Sequence, residues 1–402
     1  METAKITSLN LPDHYGKTSL HYAVTNNLDI SIVQRLLEHG VDPNKRDSNG
    51  NTSLHLCIDD PFKVALLLRH DADPNIANDG GFMPLHLAAK DGKVDSMEIL
   101  LKHGAEVNSG SSNGVIYAAL GTTALHLAAA RRDVAMIELL FKFDADPNVM
   151  DTQGDTPLHV FFKNHKLKRL SSTSLSALDR VRETSEWVGT IRKFLAKGFK
   201  DCPNADGNTL LHLTIEYMLI SVVDLLLQVA PEKFPFSQNF KGETALHVLL
   251  KKSGLEANPN SLDLDAISLN SSHLSMSEAE KMLEVKRKNI IGLFPKINQM
   301  GVADQDGNTL LHLAAKNCYY ETLRYLVSLF DSLCGVNSQG DTFVHLMIKS
   351  RDWKDDSELI EIIKVSIGKD QNLLSAVDWD GRTLLHIALQ KGSNALLKVL
   401  LP

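Results

Sequence analysis

Cysteine is scarce in this chain, and the four present, Cys57, Cys202, Cys318 and Cys334, show neither paired nor metal-ligand spacing. A disulfide framework is not expected, and such thiols suit a reducing interior. Long apolar runs are missing as well. Residues 1–12 lack an apolar signal core, and the most apolar stretch, residues 210–230, is broken by His212, Glu216 and Asp224. Neither a cleaved export signal nor a membrane span is therefore expected. Charge of one sign is also modest. The 42 Lys and Arg against 49 Asp and Glu give a net charge of -7, which offers no global attraction to nucleic-acid phosphates. The basic stretches Lys163 to Arg169 and Lys281 to Lys288 read as solvated faces. No Gly-rich phosphate loop with its Lys, no H-E-x-x-H helix, no nucleophile elbow and no kinase signature set occurs. The sequence thus predicts no enzyme, no metal, no cofactor and no small-molecule substrate.

What is abundant is one motif. A Leu-His or Val-His pair recurs ten times, ending at His21, His55, His86, His126, His159, His212, His247, His312, His345 and His386. Successive histidines are 34, 31, 40, 33, 53, 35, 65, 33 and 41 residues apart. Most steps sit near one unit of about 33 residues, and the others are that unit with insertions. Thr usually stands three places before the His, where an N-cap oxygen satisfies a free helix N–H. Pro84 and Pro157 fall one place later, where a missing N–H costs nothing. Small pairs such as Ala88-Ala89, Ala128-Ala129 and Ala314-Ala315 allow close approach of neighbouring first helices. Leu36-Leu37, Leu100-Leu101 and Leu139-Leu140 supply the buried face of a second helix. Such a helix pair needs a neighbour to cover it. At 43% hydrophobic residues the chain can bury a long continuous core.

The T-P-L-H opening, turns such as Asp47-Ser48-Asn49-Gly50 and Asp151-Thr152-Gln153-Gly154, and closings such as Gly40-Val41-Asp42-Pro43-Asn44 resemble the ankyrin repeat. The resemblance runs from about residue 10 to the end. It implies an all-α solenoid of about ten helix-turn-helix units with short turn fingers, residues 1–402 forming one array. It also implies that each motif His bonds the capping Thr and reaches the backbone of the next repeat. His39, His70 and His103 close second helices at equivalent places, and only His14, His165 and His273 stand outside the pattern. Architecture therefore accounts for most histidines. Cys57 follows His55 by two residues, which on a helix point different ways, so no Cys-His nucleophile is expected.

Departures from the repeat carry the individual information. From motif His to the residue ending the second helix the distance is 18 at His86 to Gly104, but 39 at His159 to Gly198, 54 at His247 to Gly301 and 23 at His345 to Gly368. Insertions are thus expected at about 163–185 and 253–288, with the fourth repeat lengthened around Ser109 to Ala119. The same three repeats carry bulk in place of Ala-Ala: Val160-Phe161-Phe162, Val248-Leu249-Leu250 and Leu346-Met347-Ile348. Local changes of curvature are expected there. Leu175 to Phe194 has the spacing of a helix, Gly254 to Ser277 reads as loop, and Ser277 to Glu280 as a capping box before a helix over Glu278 to Phe294.

The resemblance places binding on the turn tips and the exposed side of the first helices. Tyr15, Phe82, Phe240, Trp379 and Arg382 are read as tip residues, Tyr217 as lying on a first helix, and Arg131 and Arg132 as lying just beside another first helix. Aromatic and Arg side chains dominate interface energetics, so these eight are the candidate contacts for a protein or peptide partner. The expected function is a non-catalytic interaction scaffold in an intracellular, cytoplasmic setting. Its uneven repeats resemble host-directed effectors of intracellular bacteria, and equally poxviral and eukaryotic scaffolds. The final apolar helix, Leu396 to Leu401, lacks a polar cap. Its cover is expected to be another chain or further residues, in the latter case with an enzymatic domain that the array targets.

Overall fold

The computed structural model describes residues 9–26, 28–111, 120–163, 177–216, 219–229, 237–251, 276–294, 302–349 and 357–401, with backbone alone for 177–184, 186, 229 and 276–280. Among the described residues there are twenty α-helices and no strand. Each motif contributes two helices. The chain divides into two compact units, residues 1–168 with 189–205, and residues 169–188 with 206–402.

In the first unit the pairs are α1 (Ser19–Thr25) with α2 (Ile30–Glu38), α3 (Ser53–Leu56) with α4 (Pro61–Arg69), α5 (Pro84–Asp91) with α6 (Val94–Lys102), and α7 (Ala124–Arg131) with α8 (Val134–Lys142). The fifth pair is α9 (Pro157–Lys163) with α10 (Ala177–Ala196), and the unit boundary crosses α10. In the second unit they are α11 (Leu210–Glu216) with α12 (Ile220–Val229), α13 (Ala245–Lys251) with α14 (Met276–Leu293), and α15 (Leu310–Lys316) with α16 (Tyr320–Leu329). The last two are α17 (Phe343–Lys349) with α18 (Ser357–Lys369), and α19 (Leu384–Lys391) with α20 (Asn394–Leu400). A short 3-10 turn, Gln371–Leu374, follows α18.

Burial follows the pattern of small and large residues. Ala88, Ala128 and Ala314 are fully buried on first helices, as are Leu100 and Leu140 on second helices. The bulky replacements Phe161, Phe162, Leu250 and Ile348 are fully buried too. The helix expected over Leu175 to Phe194 is α10, with Trp187, Ile191 and Phe194 buried. Phe194 meets Phe141 edge to face at 4.9 Å and 81°. Helix α14 begins at Met276, so Ser277 lies inside it and not at an N-cap. The rest of the stretch from Gly254 lies outside the described residues.

The fingers between hairpins share one geometry. An Asp or Asn eight residues before the motif His accepts backbone N–H groups with its Oδ1: Asp47 from Asn49 and Asn51, Asn337 from Gln339 and Asp341, Asp378 from Asp380 and Arg382. This is an Asx turn, which gives the backbone a local partner where no helix supplies one. Three residues later stands a Gly in the left-handed region, at φ +71° for Gly340. A Cβ there would lie 2.9 Å from the Trp379 nitrogen of the next finger. Fingers are joined tip to tip by backbone bonds, Ser48 N–H to Tyr15 O at 2.9 Å in the first unit and Phe240 N–H to Asp206 O at 3.2 Å in the second.

The first unit has an additional ladder. Asn10, Asn44, Asn75, Asn108 and Asn148 each donate to a carbonyl in the next repeat's closing turn and accept an N–H two residues further on. Asn44 does so with Asp71 O at 2.9 Å and Asp73 N–H at 2.8 Å.

Candidate functional site

The motif histidines come first because they are the most numerous titratable groups. His55 Nδ1 accepts the Thr52 backbone N–H at 3.1 Å, and Nε2 lies 3.0 Å from Phe82 O. One neighbour can only donate and the other only accept, which fixes the neutral, Nε2-protonated tautomer. It is a capping box with imidazole in place of Glu. The same arrangement holds from His21 to Asn51 O, His86 to Ser109 O, His126 to Asp155 O, His212 to Glu243 O, His247 to Asn308 O, His312 to Asp341 O and His345 to Arg382 O. In these eight rings both nitrogens are committed. Burial pushes His55 down to about 4, only partly offset by its bond to the Phe82 carbonyl. It lowers His86, His126, His212, His247, His312 and His345 as well. The bond to the capping Thr and the reach to the next repeat are as the resemblance implied.

A second set of contacts ties each finger to the next. The residue four before one motif His faces the Asx residue eight before the following one. Where the latter is Asn, its amide bridges directly: Asn78 to Asn51 Oδ1 at 2.9 Å, Asn239 to Asn208 Oδ1 at 3.0 Å, Asn337 to Asn308 Oδ1 at 3.2 Å. Where both are acidic, a Lys four residues after the His joins them. Lys251 lies 2.7 Å from Glu243 and 2.8 Å from Asp304, and Lys349 lies 2.5 Å from Asp341 and 2.8 Å from Asp378. Burial opposes ionisation of Asp378, but hydrogen bonds from Lys349 and the Arg382 N–H hold its carboxyl well below the usual range. Burial likewise opposes the charge on Lys349, and its two carboxylate partners raise it above the ordinary amine value. The sequence signal for this device was an acid at His−4 with Lys at His+4, as in Asp341 and Lys349.

The candidate contact residues separate by exposure. Tyr15, Phe240 and Trp379 stand on finger tips at 67%, 69% and 78% exposure. Phe240 and Trp379 occupy the same repeat position, seven residues before His247 and His386. Phe82 is a correction. It stands four residues before His86, on the leg of the finger that carries the acceptor carbonyl, and is only 7% exposed. Its ring packs edge-on against His86, with the Lys90 ammonium 5.9 Å from its centroid. Arg382 also stands four before its histidine, half-buried, with Asp378 and Asp380 at 2.9 and 2.5 Å. Arg131 is exposed and donates to Lys90 O at 2.8 Å. Arg132, left-handed at φ +59°, caps α7 and donates to Phe161 O, its guanidinium 5.0 Å from that ring. Tyr217 lies outside the described residues. Tyr15, Phe82, Arg131 and Arg132 belong to the first unit, and Phe240, Trp379 and Arg382 to the second.

Two exposed features escaped the sequence reading. Phe62, at the start of α4, is 76% exposed, and no periodic signal separates it from the buried residues that follow. The other is a cleft of about 420 Å³ between the ninth and tenth inner helices, lined by Gln339, Asp341, Lys349, Arg382, Gln390 and Lys391. Among the described residues no helix is long and apolar enough to cross a membrane.

Repeated helical hairpins, eight of them handing a histidine to the backbone of the next, define a class of stacked repeat proteins whose surface is built from fingers and inner helices. Sequence profiles of the ankyrin repeat match residues 3–78, 20–111 and 61–151, and a single repeat at 306–341, and the chain carries ankyrin repeats over these residues. An ankyrin repeat protein of fowlpox virus is 36% identical over 153 residues, covering 37% of this chain and 30% of that protein. The potassium channel AKT2/3 of Arabidopsis thaliana is 35% identical over 152 residues, covering 38% of this chain and 18% of the channel. An ankyrin repeat protein of Acanthamoeba polyphaga mimivirus is 21% identical over 383 residues, covering 89% of this chain and 43% of its own length. The chain thus spans less than half of each of these relatives. Ankyrin repeats are protein–protein interaction units, and that is the function class of this array.

Proposed function

We propose that the chain is a non-catalytic scaffold that binds a protein or an extended peptide through its finger tips and inner helices. The observation that supports this most is the pair Phe240 and Trp379. Large aromatic rings are 69% and 78% exposed at one repeat position, where burial by a partner releases hot-spot energy at small entropic cost. Arg382 is proposed as a further contact in the second unit, and Tyr15, Arg131 and Arg132 as contacts in the first. The uneven repeats extend the proposal to a host protein as partner. Capture from a eukaryotic lysate by the full chain, followed by binding measurements with the captured protein, tests it. Phe240→Ala and Trp379→Ala are expected to weaken binding by about fivefold or more, corresponding to about 1 kcal/mol each, with the melting temperature unchanged. Unaltered affinity in both variants sinks the reading. A second reading is that the array targets an enzymatic domain in a longer protein. It is favoured by the small share of the relatives' length that the chain spans, 18% for the potassium channel.

A further inference from the structure

We propose that the cleft between the ninth and tenth inner helices receives an acidic side chain of an extended partner segment, with an adjacent apolar side chain of that segment resting on Trp379. This rests on the scaffold reading and names the chemistry of the ligand. The cleft holds charges of both signs, but they lie at different depths. The Asp341 and Asp378 side chains are 3% and 1% exposed, whereas Lys349 and Arg382 above them are 29% and 35% exposed. The carboxylates form the floor and neutralise the cations, and the cations form the surface a ligand meets.

Donor capacity remains on that surface. The Lys349 ammonium has three N–H groups and uses two, on Asp341 and Asp378. Arg382 spends Nε and Nη2 on Asp378 and Asp380, which leaves Nη1. Lys391, also lining the cleft, is exposed and has no ion-pair partner among the described residues. The exposed acid Asp380, at 69% side-chain exposure, is already held by Arg382 at 2.5 Å. A carboxylate entering here meets three cations with unspent donors, whereas a cationic side chain meets like charge. The amides of Gln339 and Gln390 can bond the backbone of an extended segment in either sense.

Trp379 supplies the neighbouring platform. Its backbone N–H bonds Gln339 O at 3.4 Å, and its ring lies against Gly340, where a Cβ would meet Cδ1 at 2.5 Å. The ring is therefore positioned along one edge and open to solvent elsewhere. Neither Lys391 nor Trp379 takes part in the finger-to-finger bonds through side-chain atoms, so both can be changed without removing a structural tie.

Selection of a random peptide display library on the full chain tests the proposal. Enriched peptides are expected to carry Asp or Glu beside an aromatic or aliphatic residue. One such peptide, made synthetically, is expected to bind about tenfold more weakly when its acid is changed to the amide, and by a similar factor to Lys391→Glu. Trp379→Ala is expected to remove the preference for the apolar neighbour. Enrichment without acidic residues, or equal affinity of Lys391→Glu and the parent chain, overturns the inference. If such acid-free peptides lose binding in Phe240→Ala, the scaffold reading stands while this one falls. If no peptide is enriched, this inference falls, and the scaffold reading is decided by the capture experiment above.

Discussion

At eight of the motif histidines the ring must accept an N–H at Nδ1 and donate at Nε2, so only the neutral form satisfies both neighbours. Protonation at Nδ1 leaves the capping N–H facing a donor inside the stack. His55, lowered from 6.5 to about 4, states the consequence for pH. Its unfolded form takes up a proton first as pH falls, so its stabilisation is complete above about 6.5 and is lost on acidification toward 4. The slope expected from this one residue is about 1.4 kcal/mol per pH unit. Thermal melts across that window are expected to show falling stability, and His55→Gln to melt lower at neutral pH but with a shallower acid slope. An equal slope in the variant contradicts the assignment. Glycine in the fingers offers a second residue-scale test. Gly340→Ala meets both the left-handed backbone penalty of about 1 kcal/mol and a neighbouring backbone nitrogen at 2.9 Å. Gly381, at φ +72°, has nothing within 4 Å of its Cβ position, so Gly381→Ala is expected to cost only the first part. Comparable losses in urea unfolding of the two variants would show that the close approach carries no weight. Phe82→Ala is expected to lower stability by about 3 kcal/mol, as loss of a packed ring does.

Helices and fingers meet through pairs whose chemistry alternates along the chain. An Asn at the Asx position donates directly to the preceding finger, while two facing acids require a lysine between them. Lys349→Met therefore leaves Asp341 and Asp378 buried and opposed, a change expected to cost about 3 kcal/mol. Adding Asp378→Asn should recover much of it, because the amide can donate to Asp341 as Asn204 does to Asp155 at 3.0 Å. Its Oδ1 can still accept the two finger N–H groups, as that of Asn337 does. Failure of the second substitution to rescue the melting temperature would refute this account. The element boundaries were largely readable, since Thr, Pro and the Leu-His pair fix helix starts to within a residue or two. The start of α14 was misread by two residues. A Ser followed by Glu satisfies the capping pattern, and the sequence shows no reason for the helix to extend past it.

Over the molecule, the five-rung Asn ladder joins the repeats of the first unit, from Asn10 to the turn at Gly198 and Lys200. Stability in stacked repeats is close to a sum of repeat and nearest-neighbour contributions. A chain ending after Ala205 is therefore expected to unfold in one cooperative transition by circular dichroism, and a non-cooperative melt would show that the first unit depends on the second. The repeat count, the helix pairing and the structural use of the histidines were all present in the sequence, because period, capping and helix-end chemistry are local. Exposure of individual side chains was not. Phe82 and Phe240 are both phenylalanines near a finger, separated only by three places of register relative to their histidines. That offset turns one ring onto His86 and Lys90 and the other into solvent. The depth at which Asp341, Asp378, Lys349 and Arg382 sit was equally out of reach, since the order of charges along a chain says nothing about which lies beneath which. Local bonding is written residue by residue, whereas burial is a property of what the neighbouring repeat places alongside, and only the packed structure contains that neighbour.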